Sequence, residues 1–310
     1  MKHLFFTTGS LLRRLSWLVI VVFFWSCGNE QGTGTRDTTT SGTIHISVDE
    51  TFKPIIDSQI KVFEASYPNA KIIAHYKSEA ECLRDLSVDS TRMIIVTRKL
   101  TREEEAFYKD SVKFVPLQGL IAFDAIAVIV NNKSPDSIFS VSDLRAILSG
   151  TGQGKLKPVM DGLSATSTVR FAIDSIMQGQ QLGKHVTAAR SSQGVIDYVA
   201  DNVNAIGFVG VSWIGNKEDV NQLSFLQKVN IASIQCGICT SETYVKPYQA
   251  NIAMRRYPMV RGLHYIVKEN WGGLGSGFAN FLELERGQLI FRRAYLWPAR
   301  MTFSVRDVEM

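Results

Sequence analysis

The chain has 310 residues, 45% of them hydrophobic, with 34 basic against 29 acidic side chains. Its first 26 residues contain Lys2, Arg13 and Arg14 and no acid, so the rest is nearly charge-balanced, which argues against nucleic acid as the main partner. The 284 residues that remain suit two domains, and four cysteines are too few for a disulfide-stapled scaffold.

At the N-terminus, Arg13 and Arg14 precede an apolar run from Leu15 to Trp25, interrupted only by Ser16. Eleven residues of helix span about 16 Å, short of the ~30 Å hydrocarbon core, so the run reads as a signal peptide over residues 1–26. Phe24-Trp25-Ser26-Cys27 then reads as a variant lipobox, with cleavage before Cys27 and lipid on its thiol. That places the mature chain outside the cytoplasm, lipid-anchored to a bacterial membrane. The alternative is an uncleaved N-terminal anchor with an incidental cysteine. Residues 27–42 lack large apolar side chains and are expected to form a flexible tether.

Folding is expected to begin at Thr43. Thr43 to Val48 reads as a strand, followed by a helix from about Thr51 to Ser66 with Pro54 in its first turn. Lys71 to Tyr76 feeds a helix opened by Ser78-x-x-Glu81, and Met93 to Thr97 feeds one opened by Thr101-x-x-Glu104, both capping boxes. Three strand–helix units in close succession mean a parallel sheet with helices against its faces. Ile121 to Asn131 is a long, nearly all-apolar strand, suited to connecting two lobes. Val141 to Leu148 is a short helix ending at Gly150. Lys155 to Met160 leads to Asp161-Gly162, and Thr166-Ser167-Thr168 begins the next helix. Ser191 to Ala200 is a helix and Ala205 to Val209 a strand. Beyond Tyr244 the chain is expected to return to the first lobe, closing with Phe278 to Arg286, a break at Gly287, and a segment through Pro298.

Several junctions share one chemistry. Thr51-Phe52, Ser78 and Thr166-Ser167-Thr168 each place hydroxyls and backbone N–H groups at the start of a helix. Such termini have unsatisfied donors and a partial positive charge, the setting that binds an oxyanion. In an open α/β sheet these junctions lie at the carboxyl ends of strands, where ligands sit. Serine and threonine also cap helices with no ligand present. Thr97-Arg98 ends the third strand; Arg98 reads either as a bidentate oxyanion partner or as a surface charge.

The five histidines show no metal-ligand spacing, and neither a metal nor a cofactor is expected. Cys236-Gly-Ile-Cys239 has the spacing of a redox pair without the following helix, leaving a local disulfide or two small packed residues. Cys82 reads as packed. No Gly-x-Ser-x-Gly elbow or recognisable histidine setting supports a hydrolase.

At these residues the chain resembles the phosphate-binding protein of the Pst-type ABC transporter, a type II periplasmic binding protein, over roughly residues 43–300. Thr51-Phe52 is similar to that family's first anion loop and Ser78 to its second. Thr97-Arg98 is similar to the Ser-Asp segment, and the 161–168 stretch to the Asp-Gly-Ser-Gly-Thr loop, with Thr166, Ser167 and Thr168 in its last three places. Ile129-Val130-Asn131, Ala205-Ile206-Gly207-Phe208, Tyr257-Pro258 and Gly287-Gln288 also resemble recurring segments. The resemblance implies a two-lobed α/β fold with hinge strands, one lobe from residues 43–124 and 245–310 and the other from 125–244. It implies a non-enzymatic monomer that captures phosphate or a related oxyanion through Thr51, Phe52, Ser78, Thr97, Arg98, Thr166, Ser167 and Thr168. Delivery to ABC permease subunits is the implied role; sensing, scavenging or adhesion on the same fold is the alternative. Three departures stand out. Arg98 replaces the carboxylate that accepts the proton of hydrogen phosphate, Val159-Met160 replace an arginine, and the second loop is reduced to Ser78-Glu79-Ala80. The resemblance then assigns to Arg98 the positive charge lost from the second lobe.

Overall fold

The structure, a computed structural model, describes residues 37–152, 154–216 and 219–301. The expected leader, Cys27 and the first part of the tether lie outside the described residues. The folded part starts before residue 42. The Asp37 carboxylate accepts from Arg92 Nη2 at 2.8 and 2.9 Å and from the Leu274 N–H at 2.7 Å. An ion pair rather than apolar burial anchors this stretch, which a hydropathy pattern does not register.

The first lobe is built from strand–helix units. Strand β1 (Gly42–Asp49) leads through a short turn over Glu50–Phe52 into helix α1 (Lys53–Ser66), which has proline at its start. Strand β2 (Ala70–Lys77) precedes α2 (Glu79–Asp85), and β3 (Thr91–Val96) precedes α3 (Arg102–Phe107). Both capping boxes form: Glu81 accepts from the Ser78 N–H and hydroxyl, and Glu104 from the Thr101 N–H. Strand β1 runs parallel to β2 and β3, and Ile44, Ile46 and Val48 are buried in one core cluster with Ile55, Ile56 and Phe63 of α1.

The long strand β4 (Leu117–Asn131) joins the lobes. Its first part, Leu117 to Ala125, pairs antiparallel with β12 (Val260–Val267), which also pairs with β3. Its second part, Ile126 to Val130, pairs with β8 (Ala205–Gly210). A strand with no charge beyond Asp124 can be buried on both faces along this length.

The second lobe holds β5 (Ile138–Phe139), α4 (Val141–Ser149), β6 (Lys157–Met160), α5 (Ser167–Phe171), β7 (Thr187–Ala188) and α6 (Ser192–Asp201). Helix α4 stops at Gly150, whose φ of 83° is the left-handed cap that glycine adopts without steric penalty. Helix α5 continues as a wider turn through Ile176. Strand β6 is parallel to β8 and β7, so the sheet order among the described residues is β2-β1-β3-β12-β4-β8-β6-β7. After β8 come α7 (Val220–Leu226), β9 (Val229–Ile231), β10 (Ser233–Gln235) and β11 (Tyr244–Val245). Cys236 and Cys239 form a disulfide there, the first of the two readings their spacing left open, and Cys82 is buried and free. The chain then closes through α8 (Gln249–Ala253), β12, α9 (Leu274–Glu283), α10 (Glu285–Arg293) and β13 (Trp297–Pro298), the last paired with β4. None of the described helices is long and apolar enough to cross a membrane.

Candidate functional site

The carboxyl ends of β1, β3, β6 and β8 meet where the lobes face each other, and the polar residues just beyond them are buried. Thr51, Ser167 and Thr168 are fully enclosed, as is Asp124, and Asp49, Glu79 and Ser212 nearly so.

Three hydroxyls converge on one carboxylate. Asp161 Oδ2 accepts from Thr51 Oγ1 of the first lobe at 3.4 Å and from Thr168 Oγ1 of the second at 3.1 Å. Its Oδ1 accepts from Thr166 Oγ1 at 2.9 Å. Thr166 also caps α5, accepting the Val169 N–H at 3.2 Å, so its capping and site roles coexist. The backbone bends sharply before it: Ala165 has a φ of 71°, and its carbonyl accepts the Ala80 N–H at 3.0 Å from the opposite lobe.

Beside this group lies a guanidinium that the sequence did not single out. Arg261 donates through Nε to Asp124 Oδ2 at 2.9 Å and through Nη1 to Ser167 Oγ at 2.9 Å, with Nη2 2.8 Å from the same Asp124 oxygen. Its guanidinium stands 5.1 Å from the Phe52 ring centroid. Strand pairing sets this up, because Arg261 and Asp124 are register partners on β12 and β4. Asp49 accepts the Thr51 N–H through Oδ1 at 3.0 Å, while its Oδ2 is buried with no hydrogen-bond partner among the described residues.

A second ion pair crosses the lobes. Glu79 accepts from the Thr97 N–H at 2.8 Å, from Thr97 Oγ1 at 2.6 Å and from Arg170 Nε at 2.6 Å. Arg170 Nη2 also donates to Thr97 Oγ1 at 2.7 Å. Two further contacts join the halves. Glu50 Oε2 accepts from the Ser192 N–H and hydroxyl at 3.2 and 2.9 Å. The Thr51 carbonyl accepts from Trp213 Nε1 at 2.7 Å and Ser212 Oγ at 3.2 Å.

Burial sets the electrostatics. It pushes the Asp49 carboxyl up to about 7, against the opposing charge of Arg261. Burial likewise raises Asp161, opposed by the Thr166 hydroxyl and Arg261, and raises Asp124 against Arg261. Glu79 moves the other way: burial would raise it, but the hydrogen bond and charge of Arg170, with Thr97, hold it below the usual value.

Of the residues expected from the sequence, Thr51, Phe52, Thr97, Thr166, Ser167 and Thr168 lie in this buried region. Ser78 and Arg98 flank Glu79 and Thr97 in the chain, but their side chains bond other partners. The Ser78 hydroxyl donates to Glu81 at 2.6 Å. Both guanidinium amino groups of Arg98 donate to Glu104, at 2.7 and 2.8 Å, and Nη1 also reaches the Lys99 carbonyl. The buried positive charge is carried by Arg261, with the partly exposed Arg170 beside Glu79. The sequence reading did not single out Asp49, Glu79, Asp124, Arg170 or Arg261, and Asp161 entered it only as the first residue of the 161–168 stretch. One signal was available: Asp124 is the lone charge in the apolar run Ile121 to Asn131.

The model of the PBP superfamily domain matches residues 33–284. No curated protein matches the sequence. A solved phosphate ABC transporter substrate-binding protein with bound phosphate from Clostridium perfringens shares 17% identity, covers 83% of this chain and 100% of its own, and superposes with a TM-score of 0.70. An ABC-type phosphate transport receptor from Vibrio cholerae shares 16% identity over 82% of this chain and 99% of its own, at a TM-score of 0.60. A possible phosphate-binding protein from Planctomyces limnophilus shares 19% identity over 83% of this chain and 93% of its own, at 0.56. At such identities the likeness is one of fold, that of the type II periplasmic binding proteins.

Proposed function

We propose, from the premise that the chain belongs to the PBP superfamily, that it is an extracytoplasmic solute-binding lipoprotein for a small oxyanion, inorganic phosphate first, held between its lobes. The observation that carries this reading is the meeting of hydroxyl donors from both lobes, Thr51 against Thr166 and Thr168, beside the Arg261 guanidinium. A dehydrated anion must regain from protein donors what it loses from water, and this set offers hydroxyls and a buried cation. The lobes would close about the β4 crossing, one lobe from residues 43–124 and 245–310 and the other from 125–244, with the anion stabilising the closed form. Cys27 would carry the lipid, and the loaded protein would hand its anion to ABC permease subunits without transforming it. Phosphate also occupies the structural neighbour from Clostridium perfringens, which supports the choice.

Equilibrium dialysis of the purified protein against phosphate, arsenate and sulfate tests the ligand. Retention of none of the three at millimolar concentration sinks the reading. Calorimetry on variants tests the residues: Thr168→Val should weaken phosphate binding about fivefold or more, the equivalent of losing ~1 kcal/mol for one neutral hydrogen bond. Arg98→Ala should matter less, because Glu104 already holds that guanidinium.

A further inference from the structure

The donors assigned above to an oxyanion already hold one. Asp161 Oδ2 receives the hydroxyls of Thr51 and Thr168, and Oδ1 that of Thr166. An ionised carboxylate presents two acceptor oxygens and a negative charge, which is what the hydroxyls would seek in a free anion. Being part of the chain, it gives up no translational freedom on taking that place, an advantage over any dissolved ligand. Glu79 holds the Thr97 donors and Arg170 in the same manner. Asp49 and Asp124 bring the buried carboxylates at the lobe junction to four, facing the guanidiniums of Arg261 and Arg170. An added phosphate therefore meets donors that are already occupied.

We propose that Asp161 is the resident anion of this cleft and a determinant of its affinity: an incoming oxyanion gains Thr51, Thr166 and Thr168 only by displacing this carboxylate. The inference rests on the oxyanion reading of the site. It concerns a side chain that stands in for the ligand rather than one that binds it. The carboxylate keeps weakly held solutes out, and a ligand enters only when its own contacts outweigh those it breaks.

The experiment is calorimetric titration of the detergent-solubilised full chain with inorganic phosphate near neutral pH. Wild type, Asp161→Asn and the double variant Asp161→Asn, Thr168→Val are compared. Asparagine keeps an acceptor oxygen for the hydroxyls and removes the charge. Asp161→Asn should bind phosphate at least tenfold more tightly than wild type, and the added Thr168→Val should return most of that gain. If wild type binds and Asp161→Asn binds equally or less well, the resident-anion proposal is overturned and the phosphate reading stands. If neither binds, the phosphate reading falls, and a ligand-independent measurement decides the proposal. That measurement also serves if Asp161→Asn does not fold. In Asp161→Ala the vacated space matches a formate ion, so formate should raise the melting temperature, or the refolding yield, where an equal concentration of chloride does not. Equal effects of the two salts would overturn the proposal.

Discussion

Replacing Arg170 with methionine isolates the contribution of one interlobe ion pair. The side chain of Glu79 is only 3% exposed, whereas that of Arg170 is 37% exposed. Removing one partner of a fully buried pair costs about 3–5 kcal/mol, because the other charge is left uncompensated. Two features reduce that figure here. Water reaches the exposed edge of Arg170 and screens the pair, and Thr97 still donates its N–H and hydroxyl to Glu79, at 2.8 and 2.6 Å. The expected loss is about 2 kcal/mol, or a fall in Tm of about 4–8 °C for a domain of this size. Urea unfolding of wild type, Arg170→Met, Glu79→Gln and the double variant closes a cycle that separates the pair from its surroundings. The pH dependence has a defined sign. Glu79 is held below its unfolded value of 4.5, so its contribution is present above that value and lost as pH falls through the folded value. The destabilisation by Arg170→Met should therefore shrink in acid. A single-variant loss under about 0.5 kcal/mol, or strict additivity in the cycle, would refute the reasoning.

Three more outcomes are expected. Arg261→Met should destabilise by about 3–5 kcal/mol in urea unfolding, more than Arg170→Met, because Arg261 and Asp124 side chains are only 4% and 0% exposed. Burial raises Asp49 from 3.8 to about 7, so its contribution is complete below the lower value and lost as pH rises through the higher one. Melting temperature should fall less across that window in Asp49→Asn than in wild type. Asp161, Asp124 and Glu50 contribute with the same sign in both, and His264, pushed down by burial to about 4, contributes with the opposite sign in both. Gly210→Ala should cost about 1–3 kcal/mol in thermal unfolding, since a methyl there would sit 2.6 Å from the Thr51 side chain.

The sequence by itself determined the strand–helix order of the first lobe and several helix ends, though the break expected at Gly287 falls at Leu284 instead, with Gly287 inside α10. Ser78-x-x-Glu81 and Thr101-x-x-Glu104 open helices, Gly150 closes one, and the apolar run through Asn131 is a strand shared by both lobes. These signals are local: a cap, a left-handed glycine or a hydropathy period acts within a few residues, so it can be read without knowing what lies opposite. The hydroxyl loops at Thr51 and Thr166 to Thr168 were legible for the same reason. The charge of the cleft was not. Arg261 meets Asp124 across 137 positions of chain, and Arg170 meets Glu79 across 91. Only the pairing of β12 with β4 and the approach of the lobes decided which cation faces which carboxylate. Arg98, adjacent to the right loop in sequence, found Glu104 six residues on instead. Burial, which turns a common surface charge into a shifted carboxyl, is a property of the assembled lobes, and only Asp124, alone in its apolar run, carries a mark of it in the sequence.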